Sequence, residues 1–315
     1  MDLSSQRPAA RPVRASWFER NEISIAPWLF LLPAILFFAV YVIYPIGQSF
    51  WISFHEWDGL SEKTFVGTAN YERLLGLGEN KTDPKFITSF WNNLKWLALY
   101  LLALPAGLFL ALLVNQTVRG IRLYRSLFFF PFVISQAVVG LTFSWFYLPR
   151  EGLLNAILGF FGTGPVNILG DPTLATYGII AAGLWPQTAY CMILFLTGLT
   201  AIDSEQVEAG RLDGASGLSL LWHVILPQLR PATFIAFVVT IIGALRSFDL
   251  ISVMTYGGPF GSTRVLSFYM FEEALSEFGF RMGYGSAIGV VLFLIMLVFI
   301  AYFLYAMWRD ERDRH

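Results

Sequence analysis

The chain has 315 residues, of which 56% are hydrophobic, 17% aromatic and 14% charged, with a formal net charge of -1. Together with a mean hydropathy of +0.59, this excludes an ordinary soluble domain and describes an integral membrane protein. The sparse charges of both signs give no footprint for a nucleic-acid partner, and a single cysteine, Cys191, offers neither a disulfide framework nor a Cys/His metal spacing.

A bilayer core about 30 Å thick needs roughly 20 apolar residues in a helix. Segments of that length lie at Ala26 to Gln48, Phe90 to Val114, Ser126 to Leu148, Ala175 to Leu199, Ala232 to Thr255 and Tyr284 to Trp308. They predict an all-α protein with six transmembrane helices, because open strands leave backbone groups unsatisfied in lipid. Residues 1–25 read as a tail, 26–308 as the membrane domain and 309–315 as a second tail. The first apolar run follows Arg7, Arg11, Arg14 and Arg20 but is too long for a signal h-region and is not followed by an A-x-A-like site, so it reads as a retained span. Six spans put both termini on one side, and the excess of Lys and Arg in the segments on that side predicts that it is cytoplasmic.

The first outer loop, about Phe54 to Ser89, carries Phe65-Val66-Gly67, Asn70-Tyr71 and Leu74-Leu75 at spacings that suggest a short amphipathic helix on the membrane surface, read either as a contact for an external partner or as a cap on the bundle. The second, Arg150 to Leu174, holds a short helix candidate at Leu153 to Phe161. The third, Gly257 to Gly283, opens on the turn Gly257-Gly258-Pro259. Between the fourth and fifth spans lies a polar island, about 203–231, whose sequence suits a helix over Asp203 to Leu212, a turn at Gly214 and Gly217, and a second helix over Ser219 to Ile225 ended by Pro227 and Pro231. Such a helical hairpin fits either a groove on a soluble partner or a plain loop.

Within the spans, Arg246 and Asp249 stand three residues apart in the fifth, placing them on one helical face. Each costs about 2.5 to 3.5 kcal/mol at the bilayer centre if it faces lipid. With Phe248 they read as lining a solute pathway or as a structural ion pair. In the fourth span Pro186 is expected to kink the helix, and Gln187, Thr188 and Tyr190 beside it supply neutral hydrogen-bonding groups suited to hydroxyls, or simply satisfied packing. Lys95, near the start of the second span, reads as snorkelling to the interface, with Asn92 and Asn93 interfacial too.

The polar island resembles the EAA loop of the permease subunits of bacterial binding-protein-dependent ATP-binding-cassette importers. Glu208, Ala209, Gly214, Leu226 and Pro227 match the motif at its spacing, and Asp213-Gly214-Ala215 matches a common variant. Gly210 replaces the motif's third alanine and Val224 its isoleucine. The resemblance runs from about Pro27 to Trp308 and is strongest to the carbohydrate-uptake branch, of the MalF/UgpA type, through Asn115 to Asn155, Phe248-Asp249, Thr255 to Pro259 and Gly283 to Ala287. It implies a type I importer transmembrane domain that passes a sugar, oligosaccharide or polyol delivered by a periplasmic binding protein. It also implies a second homologous permease and two ATPase subunits, which would use ATP and magnesium while this chain binds no cofactor. In that scheme residues 208–210, 213–215, 226 and 227 form the coupling site for the ATPases.

The chain has no Walker A motif; in the lookalike Gly76 to Thr82, Asn80 stands where the second glycine belongs. Gly214-Ala215-Ser216-Gly217 imitates the G-x-S-G of rhomboid-type intramembrane proteases, but Ser216 lies in the polar loop and His223 on the same short segment. An ion-coupled secondary transporter is the other alternative; it calls for buried acidic groups, and only Asp249 qualifies.

Overall fold

The computed structural model describes residues 17–78, 81–116, 118–276 and 280–312. The ends of both expected tails (1–16 and 313–315) and positions 79 and 80 of the Walker A lookalike lie outside them. The described residues are mostly helical. Five helices are long and apolar enough to cross a membrane: Ala26–Ser53, Pro84–Val114, Ala175–Thr200, Arg230–Met254 and Met282–Arg309. A sixth crossing is made by Ile121–Val133 and Gln136–Phe146 if that bent pair is one span.

The chain divides after Trp51 into two units. In the first, the helix Trp17–Phe38 continues through a π-helical turn, Ala39–Ile43, into Tyr44–Ser53. The widened turn falls where Pro45 has no N–H to donate to the carbonyl of Tyr41.

In the second unit a two-residue antiparallel hairpin, β1 (His55–Glu56) and β2 (Thr64–Phe65), sets His55 opposite Phe65. The helix Ala69–Leu75 follows, with Leu74 fully buried among Leu245, Tyr269, Tyr284 and Ile288. The short helix expected in this loop is present, and its apolar Leu74 goes into protein. The second span starts at Pro84, six residues ahead of its expected start at Phe90. Pro84 occupies a first-turn position whose N–H would be orphaned anyway, and the Asp83 side chain caps the helix by accepting from the Lys85 amide at 2.8 Å. Asp83 also accepts from the phenols of Tyr269 and Tyr284, the latter at 2.6 Å. Burial works against ionisation of Asp83, but these hydrogen bonds and the Lys85 charge outweigh it and hold the carboxyl below the usual carboxylate range.

This longer second span corrects the reading of its polar residues. Asn92 and Asn93 are buried rather than interfacial, with exposures of 1% and 3%. Asn92 donates to the carbonyls of Ser262 and Arg264 at 2.6 and 2.8 Å, and Asn93 accepts from the Leu266 amide at 2.8 Å. Lys95 lies well inside the span; its ammonium donates to Asn92 Oδ1 at 3.2 Å and sits 5.7 Å from the Tyr177 ring centroid. The two asparagines thereby pin the third outer loop to the second span. That loop contains a helix absent from the sequence reading, Leu266–Ala274, which buries Leu266, Phe268 and Tyr269. Glu273 on it is 2% exposed and pairs with Lys85 at 3.2 Å and with Arg281.

The third crossing is the largest departure from expectation. A continuous helix over Ser126 to Leu148 is replaced by two helices bent by 96°. Ile134 and Ser135 between them are extended, and the Ser135 hydroxyl caps the second helix by accepting from Val138 N at 3.4 Å. A serine that can cap competes with helix continuation, and here the cap wins. The fourth span, by contrast, runs unbroken from Ala175 to Thr200 through Pro186. It forms the centre of the unit, packing Cys191, Met192 and Phe195 with Ala103 and Ala111 of the second span in one cluster and Ile179 and Ile180 with Trp96 and Tyr100 in another.

Candidate functional site

Two regions carry the polar chemistry. The first is the island between the fourth and fifth spans. The Ser204–Leu212 helix is capped by Asp203, whose carboxylate accepts from the Glu205 amide at 3.0 Å. It ends in a left-handed turn: Gly214 has φ +89°, its N–H donates to Arg211 O at 3.1 Å, and Ala215 N–H donates to Gly210 O at 2.9 Å. That pairing is a Schellman cap. An added Cβ at Gly214 would meet nothing within 4 Å, so glycine is needed there for conformation and not for space.

The second helix of the island differs from its expected form. Gly217–Leu220 passes through a π-helical turn, Leu221–Ile225, into Leu226–Gln228, and the fifth span begins immediately at Arg230. Pro227 and Pro231 therefore do not end the helix. Pro227 follows the π-helical turn, as Pro45 does in the first unit, and Pro231 sits in the first turn of the fifth span.

Gly210 and Val224, the two departures from the EAA pattern, touch each other. A Cβ on residue 210 would lie 2.9 Å from Val224 Cγ2 and 3.5 Å from Leu220 Cδ1, so the small residue lets the two helices close on each other. Gly210→Ala gains about 1 kcal/mol of helix propensity but forces a β-branched neighbour to move, which costs about 1 to 3 kcal/mol. The expected result is a lower melting temperature for Gly210→Ala that recovers when Val224→Ala is added; a Gly210→Ala single variant that melts higher would refute the contact.

Glu208, Ala209 and Asp213 are exposed along this hairpin, as are two large apolar side chains that the sequence reading passed over, Leu212 (89%) and Leu218 (73%). The protease imitation is not assembled: Ser216 is exposed, and His223 Nδ1 lies 2.9 Å from the Ser219 carbonyl, with no hydrogen bond to Ser216 among the described residues.

The second region is a cavity of 390 Å³ within the spans. It gathers five of the six residues expected in a solute pathway, Arg246, Phe248, Asp249, Gln187 and Tyr190. Thr188, the sixth, lines a separate, mostly apolar cavity of 350 Å³ with Leu127, Phe128, Pro131 and Trp185. Successive helix positions face about 100° apart, which carries Thr188 away from Gln187.

Arg246 and Asp249 do not share a helical face, because the helix ends between them. Arg230–Leu245 stops with Arg246 as its C-cap, Phe248 leaves helical geometry at φ -136° and ψ -53°, and Asp249 opens the Asp249–Met254 helix. Distant side chains satisfy the carbonyls released by the break: Asn93 donates to Leu245 O at 3.4 Å and Ser267 to Ser247 O at 2.5 Å. No ion pair joins Arg246 to Asp249 among the described residues, which removes the structural ion-pair reading and leaves both charges facing the cavity.

Phe132 and Tyr190 stack at 4.7 Å with an interplanar angle of 7° and form an aromatic wall. Gln187 donates to Thr240 Oγ1 at 2.9 Å. Gln136, the first residue after the 96° bend, also lines the cavity, and its Oε1 is buried with no hydrogen-bond partner among the described residues. The sequence reading missed it, and the available signal was its place just after the capping Ser135. An acceptor left unsatisfied in such a setting costs about 1 to 3 kcal/mol. Aromatic faces beside amide, carboxylate and guanidinium groups suit a polyhydroxylated solute better than an apolar one.

Comparison with known proteins agrees with this architecture. The family described as binding-protein-dependent transport system inner membrane component matches residues 103–309. A probable ABC transporter permease protein of Pyrococcus horikoshii is 37% identical over 290 residues, covering 90% of this chain and 96% of the relative. The trehalose/maltose transport system permease protein MalF of Thermococcus litoralis is 34% identical over 288 residues, covering 91% and 94%. The same fold occurs in the crystal structure of a bacterial alginate ABC transporter in complex with an alginate pentasaccharide-bound periplasmic protein, with a TM-score of 0.78 at 20% identity over 94% of this chain and 98% of that one.

Proposed function

This chain belongs to the family of binding-protein-dependent transport system inner membrane components, and from that premise we propose that it forms one half of the membrane pathway of an ATP-driven importer for a sugar, oligosaccharide or polyol. The observation that carries the proposal is the hairpin of Ser204–Leu212 and Gly217–Gln228, closed by the Gly214 turn outside the spans and presenting Glu208, Leu212 and Leu218 outward. In this reading one of two ATPase subunits grips the hairpin through Glu208, Ala209, Gly210, Asp213, Gly214, Ala215, Leu226 and Pro227. They use ATP and magnesium, and this chain performs no chemistry. A second, homologous permease completes the pathway. Both termini and the hairpin face the cytoplasm, which agrees with the distribution of Lys and Arg, and a periplasmic binding protein delivers the solute to the opposite side.

Substrate class follows from the cavity. Stacked Phe132 and Tyr190 offer a flat apolar wall, while Gln136, Gln187, Arg246 and Asp249 offer hydrogen-bonding partners of both polarities to a ring of hydroxyls. The sugar-transport relative and the alginate transporter of the same fold support this class.

The deciding experiment reconstitutes the complete transporter in liposomes with its binding protein. Uptake of the solute is expected to require ATP and the binding protein and to survive ionophores that collapse ion gradients. Uptake that persists without ATP but vanishes with ionophore would transfer the chain to the ion-coupled class.

A further inference from the structure

At the end of the fifth span nearest the polar island lies a groove of 530 Å³ that takes no part in the solute cavity or the Gly214 turn. Its walls are Trp222, Leu226 and Pro227 on one side and Thr233, Phe234 and Phe237 on the other, with Arg230 at its mouth. Phe234 and Phe237 stand four and seven residues beyond Arg230, one and two helical turns deeper along one stripe of the span. Phe303 of the sixth span backs that stripe, with ring centroids 5.7 Å from Phe234 and 5.0 Å from Phe237.

The chemistry changes with depth in one direction. Arg230 is exposed at the first residue of the span and has no ion pair or hydrogen bond from its side chain among the described residues. Trp222, 65% exposed, shares the rim, a position that amphipathic indoles favour at the headgroup level. Below them the lining is aromatic. A cation and an indole above a greasy channel match a molecule with a negative head and a hydrocarbon tail.

We propose that this groove is a binding site for an anionic phospholipid, its phosphate on Arg230 and an acyl chain along Phe234 and Phe237. The proposal needs the fifth span to lie in a bilayer, and because it shares Leu226 and Pro227 with the proposed coupling site, it has the ATPases reach those two residues from the side away from Arg230 and Phe234. Charge complementarity at the rim selects lipid over an apolar protein segment, since a buried protein contact would leave the Arg230 charge uncompensated.

The test uses the assembled transporter in bilayers containing phosphatidylglycerol or phosphatidylcholine with brominated acyl chains, reading tryptophan quenching and isolating the Trp222 share by difference with Trp222→Phe. Quenching of that share is expected at about five-fold lower mole fraction of brominated phosphatidylglycerol than of phosphatidylcholine, the ratio given by one basic residue near an anionic surface. Arg230→Gln is expected to abolish the preference and Arg230→Lys to keep it, which separates loss of charge from loss of assembly. Equal quenching by both lipids would overturn the proposal, as would a Trp222 share that neither lipid reaches, the result expected if a partner subunit covers the groove.

Discussion

Replacing Gly214 with proline is expected to leave the protein in the membrane and assembled while ATP hydrolysis no longer drives uptake. Two features of the turn make the effect large. Residue 214 sits at φ +89°, whereas proline is locked near -65°, and its N–H donates to Arg211 O in a bond that proline cannot make. Loss of the cap is expected to swing Ser204–Leu212 relative to the second helix while the hairpin stays attached to two intact spans, so that the proposed ATPase partners lose the rigid element assigned to them. Gly214→Asn, which tolerates the left-handed region better than other side chains, should keep most of the coupling. Glu208→Lys reverses the exposed charge without touching the backbone and should uncouple by a separate route. The measurement is ATP hydrolysed per solute imported, and normal stoichiometry in both Gly214→Pro and Glu208→Lys would end the coupling assignment.

The second large effect belongs to the cavity and reads on two scales. Gln136→Leu is expected to weaken solute uptake by about 10-fold, the value of one hydrogen bond at the upper end of the neutral range, while the melting temperature of the solute-free protein stays level or rises. A purely structural glutamine would behave oppositely, since its loss would lower stability and leave affinity alone. Arg246→Ala and Asp249→Ala remove charged partners and should each reduce uptake by about 10- to 100-fold, with little effect on assembly because they are not paired to each other. Unchanged uptake kinetics in all three variants at equal assembly would place the solute elsewhere.

These particular residues also mark how far the chain could be read from its sequence. Span lengths follow from apolar runs because lipid enforces a simple rule, and the Gly214 turn follows from the one residue type that takes positive φ without cost. The breaks were hidden because their causes lie elsewhere in the chain. Nothing local to Arg246, Ser247 and Phe248 forbids a helix; it ends there because Asn93 and Ser267, on other elements, accept the role of satisfying Leu245 and Ser247. Asn92 and Asn93 looked interfacial because the second span was started at Phe90, and a capping Asp83 before Pro84 moves the boundary enough to bury both. Gln136 escaped notice for the same reason as the bend: within a continuous helix it is one polar residue, whereas behind an extended Ser135 it becomes the entry to a cavity. Gly210 and Val224 each looked like a small imperfection in a motif, and only their contact shows them to be one adjustment.

The interruption of the fifth span also settles how a guanidinium can stand inside a membrane with no acid beside it. Arg246 caps the carboxyl end of a 16-residue helix, where the summed peptide dipoles leave about half a negative charge. That field favours a cation by about 0.3 to 1 kcal/mol at an exposed end and by up to about 2 kcal/mol when partly buried, a substantial share of the roughly 2.5 to 3.5 kcal/mol that an arginine costs at mid-bilayer. At the other lip of the gap, Asp249 begins a helix, the end at which an anion is favoured. The backbone therefore supplies each charge with a counterweight, and the two side chains are not consumed by one another, as the proposed pathway role requires.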